Sequence, residues 1–275
     1  MIVVSAATGQ LGRLVVRHLL ERVPATEVAV AVRSPKGAAD LAERGVAVRH
    51  ADYDQPDTLR AAFDGADRLL FISGTLAEGR AAQHRDVIAA ARDAGVGHIA
   101  YTSGLGADVV DYGILGEHQA TERAVLDSGL PYTLLRNPIY SDFFINPDLR
   151  TAIEAGELTS STGSWGLNTA TRADLAEAAA VVMTDEGHVG RAYDFTGRLW
   201  TYPQLADALA LIGGRAVTYR EVPEDDGIIG MLGLGPIIRS GGFEVQTPDL
   251  ERVLGRPASS LADTVEAALG VPTPA

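Results

Sequence analysis

Short unbroken apolar runs alternate with stretches of helical spacing through the first half of the chain. Ile2 to Val4, Val28 to Val32, Val46 to Arg49, Leu69 to Ser73, Ile99 to Ser103 and Tyr132 to Leu135 read as strands. Between them, Leu11 to Leu20, Thr58 to Phe63, Ala81 to Ala94 and Glu117 to Leu126 repeat apolar residues at helical spacing. Asp57 is the expected N-cap of the second helix, and Gly95 and Ser128-Gly129 are stop signals. Strands apolar at every residue belong in a sheet buried on both faces, and intervening helices make neighbouring strands parallel. Right-handed crossovers then predict an α/β fold with a doubly wound, mainly parallel sheet.

The second half is less regular. Asn146 to Ala155, Arg172 to Met183, Tyr202 to Ile212, Thr247 to Leu254 and Leu261 to Leu269 have helical patterns, and Ala192 to Phe195 and Ala216 to Glu221 strand patterns. The expected organisation is a principal domain over residues 1–145 and a smaller C-terminal α/β lobe over 146–275, with 168–197 packing back on the sheet.

Composition narrows the chemistry. With 275 residues, 46% of them hydrophobic, the chain can bury a sizeable core. The absence of cysteine excludes disulfides, thiolate metal sites and Cys nucleophiles. Lys36 is the single lysine among 23 basic residues, which excludes a phosphate loop built on lysine. The formal net charge of -13 opposes nucleic-acid backbones. No basic leader precedes Ile2-Val3-Val4, and the apolar stretch Gly227 to Ile238 is too short to span a membrane, so a cytoplasmic protein is expected. The histidines at 18, 50, 84, 98, 118 and 188 form no pair at zinc-ligand spacing, and no metal site is expected.

The most informative segment follows the first strand. In Ser5-Ala6-Ala7-Thr8-Gly9-Gln10-Leu11-Gly12, small residues at 6, 9 and 12 match a G-x-x-G-x-x-G dinucleotide turn with alanine at the first glycine. Gly9 lets backbone approach a pyrophosphate, Gly12 lets the helix pack closely on the sheet, and the helix N-terminus holds the negative charge. Ala6 places a Cβ where the turn is tightest. A site preferring NADH carries an acid at the end of the second strand, but Arg33-Ser34-Pro35-Lys36 has none. Arg33 and Lys36 are suited to a 2′-phosphate, which predicts NADPH over NADH. Asp52-Tyr53 lies where an adenine is expected. Ser73-Gly74 and Ser103-Gly104 end strands on the ligand-binding edge of such a sheet.

Further motifs extend this pattern along nearly the whole chain: Val32-Arg33-Ser34-Pro35, Ala51-Asp52-Tyr53, Gln83-His84-Arg85, Ala100-Tyr101-Thr102-Ser103, Glu117-His118, Thr121-Glu122, Tyr132 to Asn137, Thr171 to Asp174 and Gly255-Arg256-Pro257. With the glycine loop, they make the sequence similar to the NmrA-like, atypical short-chain dehydrogenases, and most to the type 2 NAD(P)H:quinone oxidoreductases. The resemblance implies a Rossmann-type domain binding NADPH without flavin or metal, a C-terminal substrate lobe, and two-electron reduction of a quinone or related flat aromatic. The chain departs from the pattern at Ala6 and at Pro138-Ile139-Tyr140, where relatives carry a glycine and a tryptophan.

The proton donor of ordinary short-chain dehydrogenases is missing. Val32 stands four residues before Lys36, so no Tyr-x-x-x-Lys pair exists; near Glu122 the equivalent positions hold Ile114 and His118. A quinone makes the milder demand, because hydride transfer gives a stabilised hydroquinone anion that water can protonate. His118 and Tyr112 are the candidate catalytic side chains. Asn137 and Pro138 are expected to border the nicotinamide, and Tyr140, Phe143, Phe144 and Trp165 to line the substrate pocket. The Gly227 to Gly242 segment reads as a flap or an oligomer contact, so a homo-oligomer is one expectation. Two competing readings are a sensor that binds NADP(H) without turnover and a tailoring reductase of an aromatic polyketide or enone.

Overall fold

The computed structural model describes residues 1–74, 79–110, 113–223, 228–231 and 233–270. In chain order the first elements are β1 (Ile2–Ser5), α1 (Gln10–Arg22), β2 (Val28–Val32), α2 (Ala39–Glu43), β3 (Ala47–His50), α3 (Asp57–Phe63), β4 (Arg68–Phe71), α4 (Arg80–Asp93), β5 (His98–Gly104), α5 (Gly113–Asp127) and β6 (Tyr132–Asn137). They are followed by α6 (Arg150–Ala155), β7 (Glu157–Ser160), α7 (Arg172–Thr184), β8 (Arg191–Asp194), α8 (Tyr202–Gly213), β9 (Thr218–Glu221), α9 (Ile228–Met231), α10 (Gly235–Arg239), α11 (Asp249–Leu254) and α12 (Leu261–Leu269).

The chain divides into two compact units. The first comprises Met1–Asn137, Ala173–Phe195 and Arg252–Gly255. Its seven strands run in the order β3-β2-β1-β4-β5-β6-β8, every neighbouring pair parallel. The order starts from β1 and grows outward in both directions, which is the doubly wound arrangement anticipated above. All residues of β1, β2 and β5 are buried, as sheet covered on both faces requires. β3 is an edge strand and correspondingly more exposed. Because the strands are parallel, the segments leaving β1, β2, β4, β5 and β6 all emerge at one edge of the sheet. That edge carries the glycine loop, Arg33, Ser73-Gly74, Gly104 and Asn137.

The second unit comprises Pro138–Arg172, Thr196–Glu251 and Arg256–Ala275. It holds the two-stranded parallel sheet β7-β9 and a separate core that includes Phe144, Leu158, Leu167, Trp200 and Leu205. Capping boxes at Thr201–Gln204 and Ser260–Asp263 start α8 and α12.

Several boundaries differ from expectation for local reasons. α3 begins at Asp57 itself with Pro56 before it, so Asp57 is a first-turn acid and not the N-cap. Asn146 caps a 3-10 turn over Pro147–Leu149, which delays α6 to Arg150. β7 has no apolar run to announce it: Glu157-Leu158-Thr159-Ser160 alternates exposed and buried with one large apolar residue. No helix among the described residues is long and apolar enough to cross a membrane.

Candidate functional site

The glycine loop owes its shape to three positions. Ala6 has φ 50°, the one non-glycine residue with positive φ among those described. Holding an L-residue there costs roughly 1–2 kcal/mol, and its carbonyl accepts the Gly9 N–H at 3.0 Å to close the turn. At Gly12 a Cβ would lie 2.6 Å from the Ala7 Cα and 2.7 Å from the Ala6 oxygen. Only glycine lets α1 sit this close to the loop. No side chain caps α1 at Gly9, so amides of its first turn remain available to an anion. Thr8, Gly9 and Gln10 are exposed, whereas Leu11 is buried, so it can face a ligand through its backbone alone. The cradle fits a dinucleotide pyrophosphate.

Beyond β2, Arg33 and Lys36 are exposed, and neither has a hydrogen bond or ion pair to a described residue. A 3-10 turn over Pro35–Ala38 follows, closed by Gly37 N–H on the Ser34 oxygen at 3.0 Å. The next carboxylate along the chain, Asp40, is already held by Arg13.

The remaining strand ends are largely satisfied from within. Asp52 is buried and accepts from Asp54 N and Gln55 Nε2, shaping its own turn. The Tyr53 hydroxyl donates to Ser5 Oγ at 2.6 Å, and burial raises its pKa. Ser73 N donates to Thr102 Oγ1 at 2.9 Å. Ser103 was expected to serve the cofactor, but its hydroxyl is buried and donates to Glu122 Oε1 at 2.6 Å, so the side chain faces the protein. Glu122 in turn takes a two-pronged bond from Arg136, at 3.0 and 2.9 Å, and Arg136 also pairs with Asp108 and Asp194. Asn137 is half-buried, and its carbonyl accepts from Leu105 N at 2.8 Å.

His118 sits in a similar network. Its Nε2 accepts from Arg80 at 3.2 Å, and its Nδ1 meets the Tyr101 hydroxyl at 2.8 Å. Burial first, then the Arg80 charge, pushes its pKa down to about 3. A neutral imidazole with both nitrogens bonded within the protein and 7% exposure is not presented to a substrate in this arrangement. This arrangement supports a structural role for His118 over the expected catalytic one. His84 has the same character: Nε2 accepts from Gly74 N at 3.2 Å, Nδ1 meets Thr121 Oγ1 at 2.9 Å, and burial followed by Arg80 lowers it to about 3. Arg80 also donates to the Gly74 oxygen and pairs with Glu117. Gly74, three residues past β4, is thus held at both its N–H and its carbonyl. Sequence reading passed over Arg80; its position four residues before His84, on the same face of α4, was the available signal. Tyr112 lies outside the described residues.

In the second unit, Tyr140 and Phe143 are parallel at 9° with centroids 6.0 Å apart. The Arg172 guanidinium lies 4.6 and 4.8 Å from the two ring centroids and pairs with Asp142. Phe143 is 43% exposed. Phe144 was expected in the same wall but is 4% exposed and packs edge-on against Trp200, a core residue. Pro138 is buried. Trp165 is 41% exposed on a turn tied by Gly166 N to Glu244 Oε1 at 2.9 Å. Of the Gly227 to Gly242 segment, residues 227 and 232 lie outside those described. Among the described residues no group of three or more His, Asp or Glu is placed to hold a metal ion.

The chain is similar to known nucleotide-dependent proteins. The family model described as NAD(P)H-binding matches residues 6–186. Quinone oxidoreductase 2 of Escherichia coli is 40% identical over 96% of this chain and 97% of its own. The NAD(P)H azoreductase of Xenophilus azovorans is 30% identical over 97% of each. Among solved structures, the Citrobacter sp. triphenylmethane reductase complexed with NADP(H) superposes with a TM-score of 0.91 at 38% identity, covering 97% of this chain and 99% of that one. The sheet, the glycine loop and these matches agree: the chain belongs to the NAD(P)H-binding family.

Proposed function

We propose that the protein is an NADPH-dependent quinone oxidoreductase. The observation that carries the reading is the uncapped α1 N-terminus on the same sheet edge as Arg33 and Lys36, two exposed cations with no partner among the described residues and no acid between them in the sequence. Ala6 to Gly12 hold the pyrophosphate through backbone amides, and Arg33 and Lys36 take the 2′-phosphate. Tyr53, Gly74 and Asn137 border the rest of the cofactor. Bound NADPH supplies a hydride to a two-electron acceptor.

The residues present suit an acceptor that asks little of the protein. No Tyr-x-x-x-Lys pair exists, and His118 is sealed by Arg80 and Tyr101. A quinone is reduced to a hydroquinone anion stable enough for water to protonate, so orientation supplies most of the rate. We assign the second unit as the substrate lobe, with Tyr140 and Phe143 presenting flat apolar surface stiffened by Arg172. The curated relatives named quinone oxidoreductase and azoreductase support a flat conjugated acceptor. The test follows NADPH absorbance with a simple benzoquinone, subtracting the rate without protein. Saturable, protein-dependent oxidation is expected; a flat trace across several quinones, with NADPH still bound, would overturn the reading in favour of a sensor.

A further inference from the structure

We infer that Arg13 is a specificity-determining positioning residue, a strap that holds the cationic turn after β2 against the glycine loop and so sets the preference for NADPH over NADH. The inference rests on the NADPH reading above. Arg13 is the residue directly after Gly12, in the second turn of α1. One arm of its guanidinium donates to the Gly37 oxygen at 2.6 Å, and the other to Asp40 Oδ2 at 2.8 Å. Gly37 immediately follows Lys36 and is three residues from Ser34, whose carbonyl closes the turn. A Cβ on Gly37 would come within 3.7 Å of Thr8 Cγ2, so this turn lies against the glycine loop itself. On its other side the turn is anchored by Ala38, which is fully buried. One side chain thus couples the loop that receives the pyrophosphate to the turn that receives the 2′-phosphate.

The chemistry of the strap explains why it is arginine. A planar fork can meet a carbonyl and a carboxylate together, whereas an ammonium has no fixed pair of donor directions. Its value is not fold stability: Arg13 and Asp40 are 42% and 58% exposed, and pairs of that kind contribute little to folding. The consequence lies in preorganisation. Without the strap, the segment carrying Arg33 and Lys36 must be ordered by the ligand, and that cost falls on the 2′-phosphate alone.

The test measures Kd for NADPH and for NADH by fluorescence titration in the wild type, Arg13→Ala, Arg13→Lys and Asp40→Ala. Arg13→Ala should weaken NADPH about tenfold while NADH changes less than about twofold, which also shows that the variant is folded. Arg13→Lys and Asp40→Ala should fall between. Equal weakening of both cofactors, or an unchanged ratio in Arg13→Ala, would overturn the strap while leaving the NADPH reading standing. Tighter NADPH binding by Asp40→Ala would also overturn it, because Arg13 would then be a phosphate ligand that Asp40 withholds. A wild type that does not discriminate between the cofactors would instead overturn the NADPH reading, and the strap with it.

Discussion

Two stretches of one sheet edge handle polar groups in opposite ways. Around the ends of β4, β5 and β6, Arg80 bonds His118, Glu122 holds Ser103 and Arg136, and His84 takes Gly74 N and Thr121, all largely withdrawn from water. At the ends of β1 and β2, the first-turn amides of α1 and the Arg33 and Lys36 side chains face outward with no protein partner. Buried polar groups must be satisfied by the fold, whereas groups meant for a ligand are left unsatisfied where water can hold their place. In this molecule the location of a polar residue on the ligand-binding edge therefore does not by itself make it a ligand; its partner list does.

The contrast can be broken most forcefully at Glu122. Glu122→Ala removes the carboxylate that holds Arg136 with two bonds and accepts from Ser103, and leaves the 11% exposed guanidinium to Asp108 and Asp194, which reach only its Nη1. A loss of roughly 2–3 kcal/mol in urea denaturation is expected, with the ratio of NADPH to NADH affinity unchanged. A loss below about 1 kcal/mol would show that Asp108 and Asp194 carry Arg136 unaided, and the network would not be sealed in the sense used here.

Acid should expose the same region more gradually. His84 and His118 are held near 3 and His98 near 4, all first by burial, against about 6.5 in an unfolded chain. The unfolded state takes up these protons first. The stabilisation is thus complete above pH 6.5 and is lost as pH falls from there toward the folded values. The urea midpoint should fall steadily between pH 7 and pH 5, while the rate of hydride transfer shows no inflection near 6.5 from His118. A midpoint independent of pH over that range would contradict the burial of these rings.

The smallest effect is expected in the open region. Ala6→Gly relieves a positive φ worth roughly 1–2 kcal/mol but returns part of it as added freedom in the unfolded chain, for a net gain of about 1 kcal/mol or less. We expect a slightly higher Tm and NADPH bound a few-fold more tightly. No change in either quantity would mean that the loop carries alanine here without strain.

The division between what the sequence reveals and what it hides follows the same physics. The parallel sheet was legible because strands buried on both faces must be apolar at every position, as Val28 to Val32 is. The glycine loop was legible because Gly12 answers to contacts with its own neighbours, Ala6 and Ala7. By contrast, β7 was missed because its partner β9 lies far along the chain and its own residues are half polar. His118 and Phe144 were hard to place from sequence for a related reason. The partners that occupy them, Arg80 and Trp200, come from other elements, and no local pattern announces that pairing. Arg13 was adjacent to a motif glycine, yet its role depends on a carbonyl 24 residues away.

The turn carrying Lys36 has one practical consequence. As the sole lysine side chain in the sequence, exposed and without a partner among the described residues, it is the one side-chain amine open to acylation, distinct from the Met1 amine that pairs with Asp67. Acylation at Lys36, read by peptide mapping apart from that at Met1, would be slowed by added nucleotide and so turn one side chain into a gauge of site occupancy that needs no turnover.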